Sequence, residues 1–350
     1  MSHVLLIRFS SLGDVAMTVP VLRALATRYP QHRFTVLSRA SMRPLFDRLP
    51  ANVDFVEADL KGRHKGAAGL NRLYGELRKL GFDRVADLHG VLRSDYLRLR
   101  FRLAGIPVAT IHKGRSEKKA LVRRRHKVLK PLKSSFQRYA DVLERLGFPV
   151  DLDNASPGEA VTGLSPQVEA LAGTKDGLTW IGIAPFAKHE GKIYPLELQE
   201  RVVAHFAARA NTRVFLFGGG AEELAKFGEW TSRYPTVVAA GGQLRMRGEL
   251  ELMSRLDVML TMDSANMHLA SLVDTPAVSV WGATHPYAGF MGWGQRLDNA
   301  VQLDLTCRPC SVFGQKPCWR GDYACLRDIA PEWVIEKVEE MIVKKQITEK

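Results

Sequence analysis

Residues 4–29, VLLIRFSSLGDVAMTVPVLRALATRY, open on an apolar run, pass through a short polar turn, and then repeat apolar side chains at helical spacing. The run 4–9 reads as a buried strand. From Asp14 to Tyr29, Val15, Val19, Leu22, Leu25 and Ala26 fall on one face of a helix. A continuously apolar strand followed by an amphipathic helix is the building unit of a parallel sheet, because the crossover helix covers the face the strand exposes. The unit recurs, with strands expected at 34–37, 54–57, 84–87 and 108–111, and a helix that places Leu70, Leu73, Leu77 and Leu80 on one face.

Beyond Gly147 the texture changes. Residues 148–165 are rich in Pro, Gly, Asp and Ser and carry no periodicity, which predicts a linker and a division into domains 1–160 and 161–350. The alternation then restarts, with strands expected at 179–184, 213–217, 236–239, 258–261 and 277–281 and helices at 196–210 and 221–233. A helix over 331–343 closes the chain, with Pro331 suited to its first turn. The expected class is therefore α/β, two doubly wound parallel-sheet domains. Ligands of such folds bind beyond the carboxyl ends of the strands, so the expected site is a cleft shared by the two domains.

The 350 residues are 46% hydrophobic and 25% charged, a globular balance that argues against disorder, collagen and coiled coil. The longest apolar stretches, 4–7 and 278–281, fall far short of the ~20 residues that span a bilayer. Arg8 and Asp14 interrupt the N-terminal apolar run and no small-residue cleavage site follows, so the chain is expected to be cytoplasmic. Charge is divided unevenly: residues 1–150 hold 30 Lys and Arg against 12 Asp and Glu, and residues 151–350 hold 20 against 25. Much of the excess lies in 113–138, which has eleven basic residues and one acid, Glu117. Such a field calls for an anionic partner, whether nucleic-acid phosphate, a lipid surface or a phosphorylated substrate. Against nucleic acid, the run has only Phe136 as a nearby aromatic and matches no RNA- or DNA-binding module.

Four loops follow expected strands and carry chemistry. In Ser10-Ser11-Leu12-Gly13-Asp14, Gly13 permits a tight turn and Asp14 arrives at or near a helix N-cap, where a carboxylate is either a plain cap or a general base. PFAKHEGKIYP (185–195) carries Lys188, His189 and Lys192, either a diphosphate clamp or a solvated loop. FGGGAEE (217–223) lacks the dinucleotide fingerprint, but its glycines allow a ligand close to the backbone. MDSANMHLA (262–270) sets Asp263, Ser264 and Asn266 at a helix start with His268 in the first turn, a setting for phosphate. Cys307, Cys310, Cys318 and Cys325 follow C-x2-C-x7-C-x6-C. Four thiolates at that spacing suit zinc, but the second pair is loosely spaced and the domain needs no staple, so reduced thiols without metal are expected.

Taken together these residues resemble glycosyltransferase family nine, the heptosyltransferases of the lipopolysaccharide inner core. RFSSLGDV (8–15) is similar to that family's N-terminal motif and DLHGVLRS (87–94) to its second one. Residues 192–195 resemble Lys-x-Trp-Pro with Tyr194 in place of Trp, and Asp263 to His268 resemble Asp-Thr/Ser-x-x-x-His. The C-terminal cysteines and the final helix have counterparts in many members. The resemblance implies a GT-B fold, with an N-terminal acceptor domain and a C-terminal nucleotide-sugar domain. It also implies inverting transfer from ADP-heptose to an anionic lipopolysaccharide or lipid A acceptor, with no metal and no cofactor besides the donor. Asp14 becomes the general base. Lys192, Lys188, one or both of Glu222 and Glu223, Leu244, Asp263, Ser264 and His268 become donor contacts; Ala187 and Lys188 stand where some members have two threonines. Ser10, Ser11, Gly13, His89, Arg93, Arg123, Arg124 and Arg125 are assigned to the acceptor. No Asp-x-Asp follows a strand; Asp151-Leu152-Asp153 falls in the linker. The expected location is peripheral, on the cytoplasmic face of the inner membrane, with no nucleic acid bound. The alternatives are a basic nucleic-acid-binding protein and a nucleotide-sugar epimerase of related fold, the latter having no use for a basic acceptor domain.

Overall fold

A computed structural model describes residues 1–153, 155 and 161–348; part of the expected linker, residues 154 and 156–160, lies outside them. The chain forms two parallel sheets. The first comprises β1 (His3–Ile7), β2 (Arg33–Ser38), β3 (Val53–Glu57), β4 (Arg84–Asp87) and β5 (Val108–Thr110), in the order β3-β2-β1-β4-β5. The second comprises β6 (Thr179–Ala184), β7 (Thr212–Leu216), β8 (Val237–Ala239), β9 (Val258–Met262), β10 (Ala277–Val280) and β11 (Ala300–Val301), in the order β11-β10-β9-β6-β7-β8. Central strands are apolar on both faces because helices cover both. In β1, Val4, Leu5, Leu6 and Ile7 are all buried, and β9 is buried along its whole length.

By contacts the chain divides into two compact units: Met1–Lys113 with Lys133–Gly158, and Gly114–Leu132 with Glu159–Lys350. Sequence order had placed the whole basic run in the first domain, yet its middle, Gly114–Leu132, belongs to the second unit. Long-range contacts hold it there. The Leu132 N–H donates to the Tyr287 carbonyl (2.9 Å), Lys127 Nζ donates to the carbonyls of Arg308 (2.6 Å) and Thr306 (3.2 Å), and the Arg124 guanidinium stacks 4.1 Å from the Trp319 ring centre. Arg123, Arg124 and Arg125 are thus part of the second unit.

Three further expectations are corrected. The helix expected from Asp14 to Tyr29 is two, Leu12–Ala16 and Thr18–Arg28. Pro20 has no N–H for the Ala16 carbonyl and its ring crowds that carbonyl, so the first helix stops at Ala16. Leu80 lies past the end of the helix Gly66–Arg78 and is exposed. Phe148, read as linker, is a core residue, its ring edge-on to Tyr29, His32 and Phe34.

Candidate active site

In the first unit the carboxyl ends of β1 and β4 deliver two loops to one place. Arg8, directly after β1, is buried; its Nη1 donates to the Leu88 carbonyl (2.7 Å) and its Nη2 pairs with Asp14 Oδ2 at 2.7 Å. The N-cap of Leu12–Ala16 is Ser11, and Asp14 occupies the third helical position. There its Oδ2 accepts from the Ser11 hydroxyl (2.7 Å) and the Ser11 N–H (3.3 Å), the acidic half of a capping box. The Asp14 side chain remains 31% exposed, enough for a substrate hydroxyl to reach it. Tyr139 braces the turn from beneath, its hydroxyl donating to the Asp14 carbonyl (3.2 Å) and its ring 5.8 Å from the Arg8 guanidinium. Burial pushes the Tyr139 phenol above its ordinary range, so it stays a neutral donor.

The β4 loop is an Asx turn: Asp87 Oδ1 accepts from the N–H groups of His89 and Gly90, both at 2.9 Å. His89 is buried and its Nδ1 accepts from the Phe9 N–H (3.3 Å). Burial first, then Arg8 and Lys113, depress the imidazole to about 3, so it is neutral at physiological pH. Ser10, Ser11, Gly13, Asp14 and His89 are therefore gathered; Arg93 stands exposed in the first turn of the helix Leu92–Leu103.

The sequence reading missed the cations that frame this site. Arg39 Nε donates to the Phe9 carbonyl (2.9 Å), Lys113 Nζ to the Gly90 carbonyl (3.0 Å), and Arg98 Nη1 to Thr110 Oγ1 (2.8 Å). A signal was present: Arg8 and Arg39 each follow the last residue of a strand, and Lys113 lies three residues past β5.

In the second unit the donor candidates occupy the carboxyl edge of one sheet. Lys192, in the turn Glu190–Lys192 after β6, reaches Asp263 after β9, with Nζ and Oδ2 3.1 Å apart and side chains 16% and 6% exposed. Gly314, at φ +75°, packs on the Lys192 stem, where a Cβ would come within 2.5 Å of Lys192 Cγ. Lys188 is exposed. Burial and the two flanking lysines depress His189 below its ordinary value. Ser264 stands at the N-cap position of the helix Ala265–Leu272 with its hydroxyl turned to Thr261 Oγ1 (3.1 Å) rather than to a helix amide, and His268 is buried in the first turn. The two glutamates differ: Glu223 Oε2 accepts from the Gly219 N–H (2.7 Å), whereas Glu222 is exposed. The loops after β7 and β8 touch backbone to backbone, since a Cβ on Gly241 would sit 2.2 Å from the Gly218 carbonyl; Leu244 is buried just beyond.

All four cysteines are free thiols and line one small cavity with Arg308, Trp319 and Arg320. Burial raises Cys310 and pushes Cys325 up to about 12. Among the described residues no group of three or more His, Cys, Asp or Glu side chains is arranged to hold a metal ion.

The model of glycosyltransferase family 9 (heptosyltransferase) matches residues 70–317. The chain belongs to this family. It is a glycosyltransferase, and its two parallel sheets are those of the GT-B fold. Lipopolysaccharide heptosyltransferase 1 of Pseudomonas aeruginosa is 26% identical over 319 residues, 88% of this chain and 86% of that one. A family 9 glycosyltransferase from Veillonella parvula superposes with a TM-score of 0.75 at 21% identity, covering 98% of each chain. ADP-heptose lps heptosyltransferase II of Escherichia coli gives 0.71 at 20% identity, over 99% of this chain and 100% of that one.

Proposed function

We propose that this glycosyltransferase moves a heptose from ADP-heptose to a lipopolysaccharide core or lipid A acceptor, with inversion and without a metal ion. The names of the Pseudomonas and Escherichia relatives support the donor and acceptor classes. The observation that carries the chemistry is the Asp14 carboxylate: aimed by Arg8 and Ser11, partly open to solvent, and next to a histidine held neutral by burial and by Arg8 and Lys113. Asp14 takes the proton as the acceptor oxygen forms its bond to the anomeric carbon. On the opposite face the bond to the diphosphate breaks, and its electron pair leaves with ADP. Lys192, exchanging Asp263 for phosphate, and the amides at the start of Ala265–Leu272 stabilise the charge that develops. Lys188, Glu222, Glu223, Leu244, Ser264 and His268 are assigned to the nucleotide sugar.

Ser10, Ser11, Gly13, His89 and Arg93 are assigned to the acceptor, whose phosphates and carboxylates suit the cations around Asp14. Arg123, Arg124 and Arg125 serve the acceptor's anionic surroundings, either its own phosphates or the inner-membrane surface, rather than nucleic acid, and the enzyme works from the cytoplasmic face. The test is incubation of the purified chain with ADP-heptose and Kdo-lipid A or heptosylated acceptors, with and without EDTA. The expected result is an acceptor heavier by one heptose, inverted at the anomeric carbon by NMR and unaffected by EDTA. No transfer, retention of configuration, or an EDTA-sensitive rate each removes the corresponding part of the reading.

A further inference from the structure

We infer that the second unit carries a docking surface for an anionic lipid bilayer, built from Gly114–Leu132 and the loop 306–323. The inference rests on the acceptor being lipid-borne. The segment begins as the helix Arg115–Leu121 and then runs without regular structure to Leu132, pinned by the Tyr287, Thr306 and Arg308 carbonyls. Two cation–π contacts complete the attachment: Lys118 Nζ lies 4.3 Å from the Phe290 ring centre, and Arg124 covers Trp319. Phe290 in turn packs on Phe313, ring centres 5.6 Å apart. The attachment uses backbone carbonyls and ring faces, so the segment is fixed while most of its charge stays outward. Arg115, Lys119, Arg123, Arg125 and Lys130 are all exposed.

Beside these cations lie side chains that an ordinary solvated face does not show. Val128, Leu129, Phe313 and Trp319 are 43, 50, 51 and 50% exposed. A water-soluble anion is recognised by converging donors and gains nothing from exposed Leu, Phe and Trp. A bilayer surface uses both kinds of group: cations meet headgroup phosphates, aromatic rings sit at the interface, and aliphatic side chains enter between acyl chains. The Arg124–Trp319 stack combines the two, because a guanidinium lying on a ring keeps its edge donors for phosphate. Between residues 113 and 138 the one carboxylate is Glu117, and on the loop 306–323 the one carboxylate, Asp322, is paired with Arg320 at 2.7 Å, so little opposes a negatively charged surface.

The full chain is tested by co-sedimentation with vesicles of equal parts phosphatidylglycerol and phosphatidylethanolamine, against phosphatidylcholine vesicles. Each basic residue at such a surface is worth about fivefold, so changing Arg123, Arg125 and Lys130 together to Gln should lower partition roughly a hundredfold. Val128→Ser with Leu129→Ser should weaken vesicle binding and slow transfer to a vesicle-embedded acceptor, while leaving transfer to a deacylated, water-soluble acceptor unchanged. Brominated acyl chains should quench tryptophan fluorescence in the parent and quench it less in Trp319→Phe. Equal partition onto phosphatidylcholine, partition unmoved by these substitutions, or full displacement from vesicles by the deacylated acceptor overturns the inference, the last by assigning the patch to the acceptor itself. Vesicle binding needs no sugar transfer, so the outcomes separate. A chain that binds vesicles and transfers no heptose refutes the proposed reaction and leaves the surface standing; one that transfers heptose without binding vesicles does the reverse.

Discussion

Asp14→Asn isolates the proton acceptor from its structural surroundings. In the parent, Asp14 Oδ2 receives the Ser11 hydroxyl, the Ser11 N–H and the Arg8 guanidinium. An Asn oxygen in the same place keeps both Ser11 bonds, so the cap survives, since Asn and Asp are equally good at helix starts. What is lost is charge opposite a buried arginine. A hydrogen bond to a charged group is worth about 1.5–3 kcal/mol, and the amide still accepts a neutral one, so the net cost is about 1–2 kcal/mol. For a unit of this size that lowers the melting temperature by roughly 3–6 °C. It leaves the protein overwhelmingly folded at 25 °C if its stability is the usual ~5–15 kcal/mol. Losing the base, by contrast, should cut turnover by about 10²- to 10⁴-fold, with donor affinity unchanged. The assays are single-turnover transfer at saturating ADP-heptose and acceptor, thermal melts, and calorimetric donor binding. Arg8→Gln is the control: it sacrifices the same ion pair yet keeps the carboxylate, so if instability explained the kinetics the two variants would be equally slow. Turnover of Asp14→Asn within a few-fold of the parent would refute the assignment and reduce Asp14 to a capping residue.

Three more outcomes follow from the same geometry. Lys192→Ala should lower both turnover and donor affinity, together by a few kcal/mol, and should also cost stability, because Asp263 is left nearly buried without its partner; melts and isothermal titration with ADP check both. His89 is held neutral, its folded value of about 3 below the ordinary 6.5, so the unfolded chain binds the proton more readily and stability is lost as pH falls below 6.5. By pH 5 the loss is about 2 kcal/mol, and His89→Asn, which keeps an acceptor for the Phe9 N–H, should flatten that limb of a denaturation-versus-pH curve. Glu249, on the helix Met246–Met253, has the opposite sign: burial raises it to about 7, so its contribution is intact below pH 4.5 and lost as pH rises towards 7. Glu249→Gln should match the parent at pH 4 and exceed it by about 2–3 kcal/mol at pH 8 in urea titrations; equal stability at both would show that the carboxyl is better solvated than its burial suggests.

The division between what could and could not be read from the sequence follows the range of the interactions. A central parallel strand is apolar on both faces, so β1 and β6 announce themselves in a single run, and the loop after each is where side chains meet a ligand. Asp14, Lys192 and Asp263 could be located for that reason, each lying in the loop or first turn after a strand, whereas the roles assigned to them came from the family resemblance. β11 pairs with β10 through only two residues and has no periodicity to find. The break at Pro20 was written in the sequence, but apolar spacing runs straight across it, since Val19 and Leu22 still face the core. The residues that orient the site are of another kind. Arg8 matters through a carbonyl 80 positions away and Asp14 through a tyrosine 125 positions away, and no local window contains those pairs. The basic run shows the same limit most clearly. Its charge could be counted, but which unit carries it is decided by Lys127 reaching carbonyls 179 and 181 residues further on and by Arg124 lying on Trp319. Adjacency in sequence assigns those arginines to the first unit, with Asp14. Packing assigns them to the unit that holds the donor candidates, beside exposed Val128, Leu129, Phe313 and Trp319, and so favours the lipid surface over the acceptor among the anionic partners that the charge alone left open.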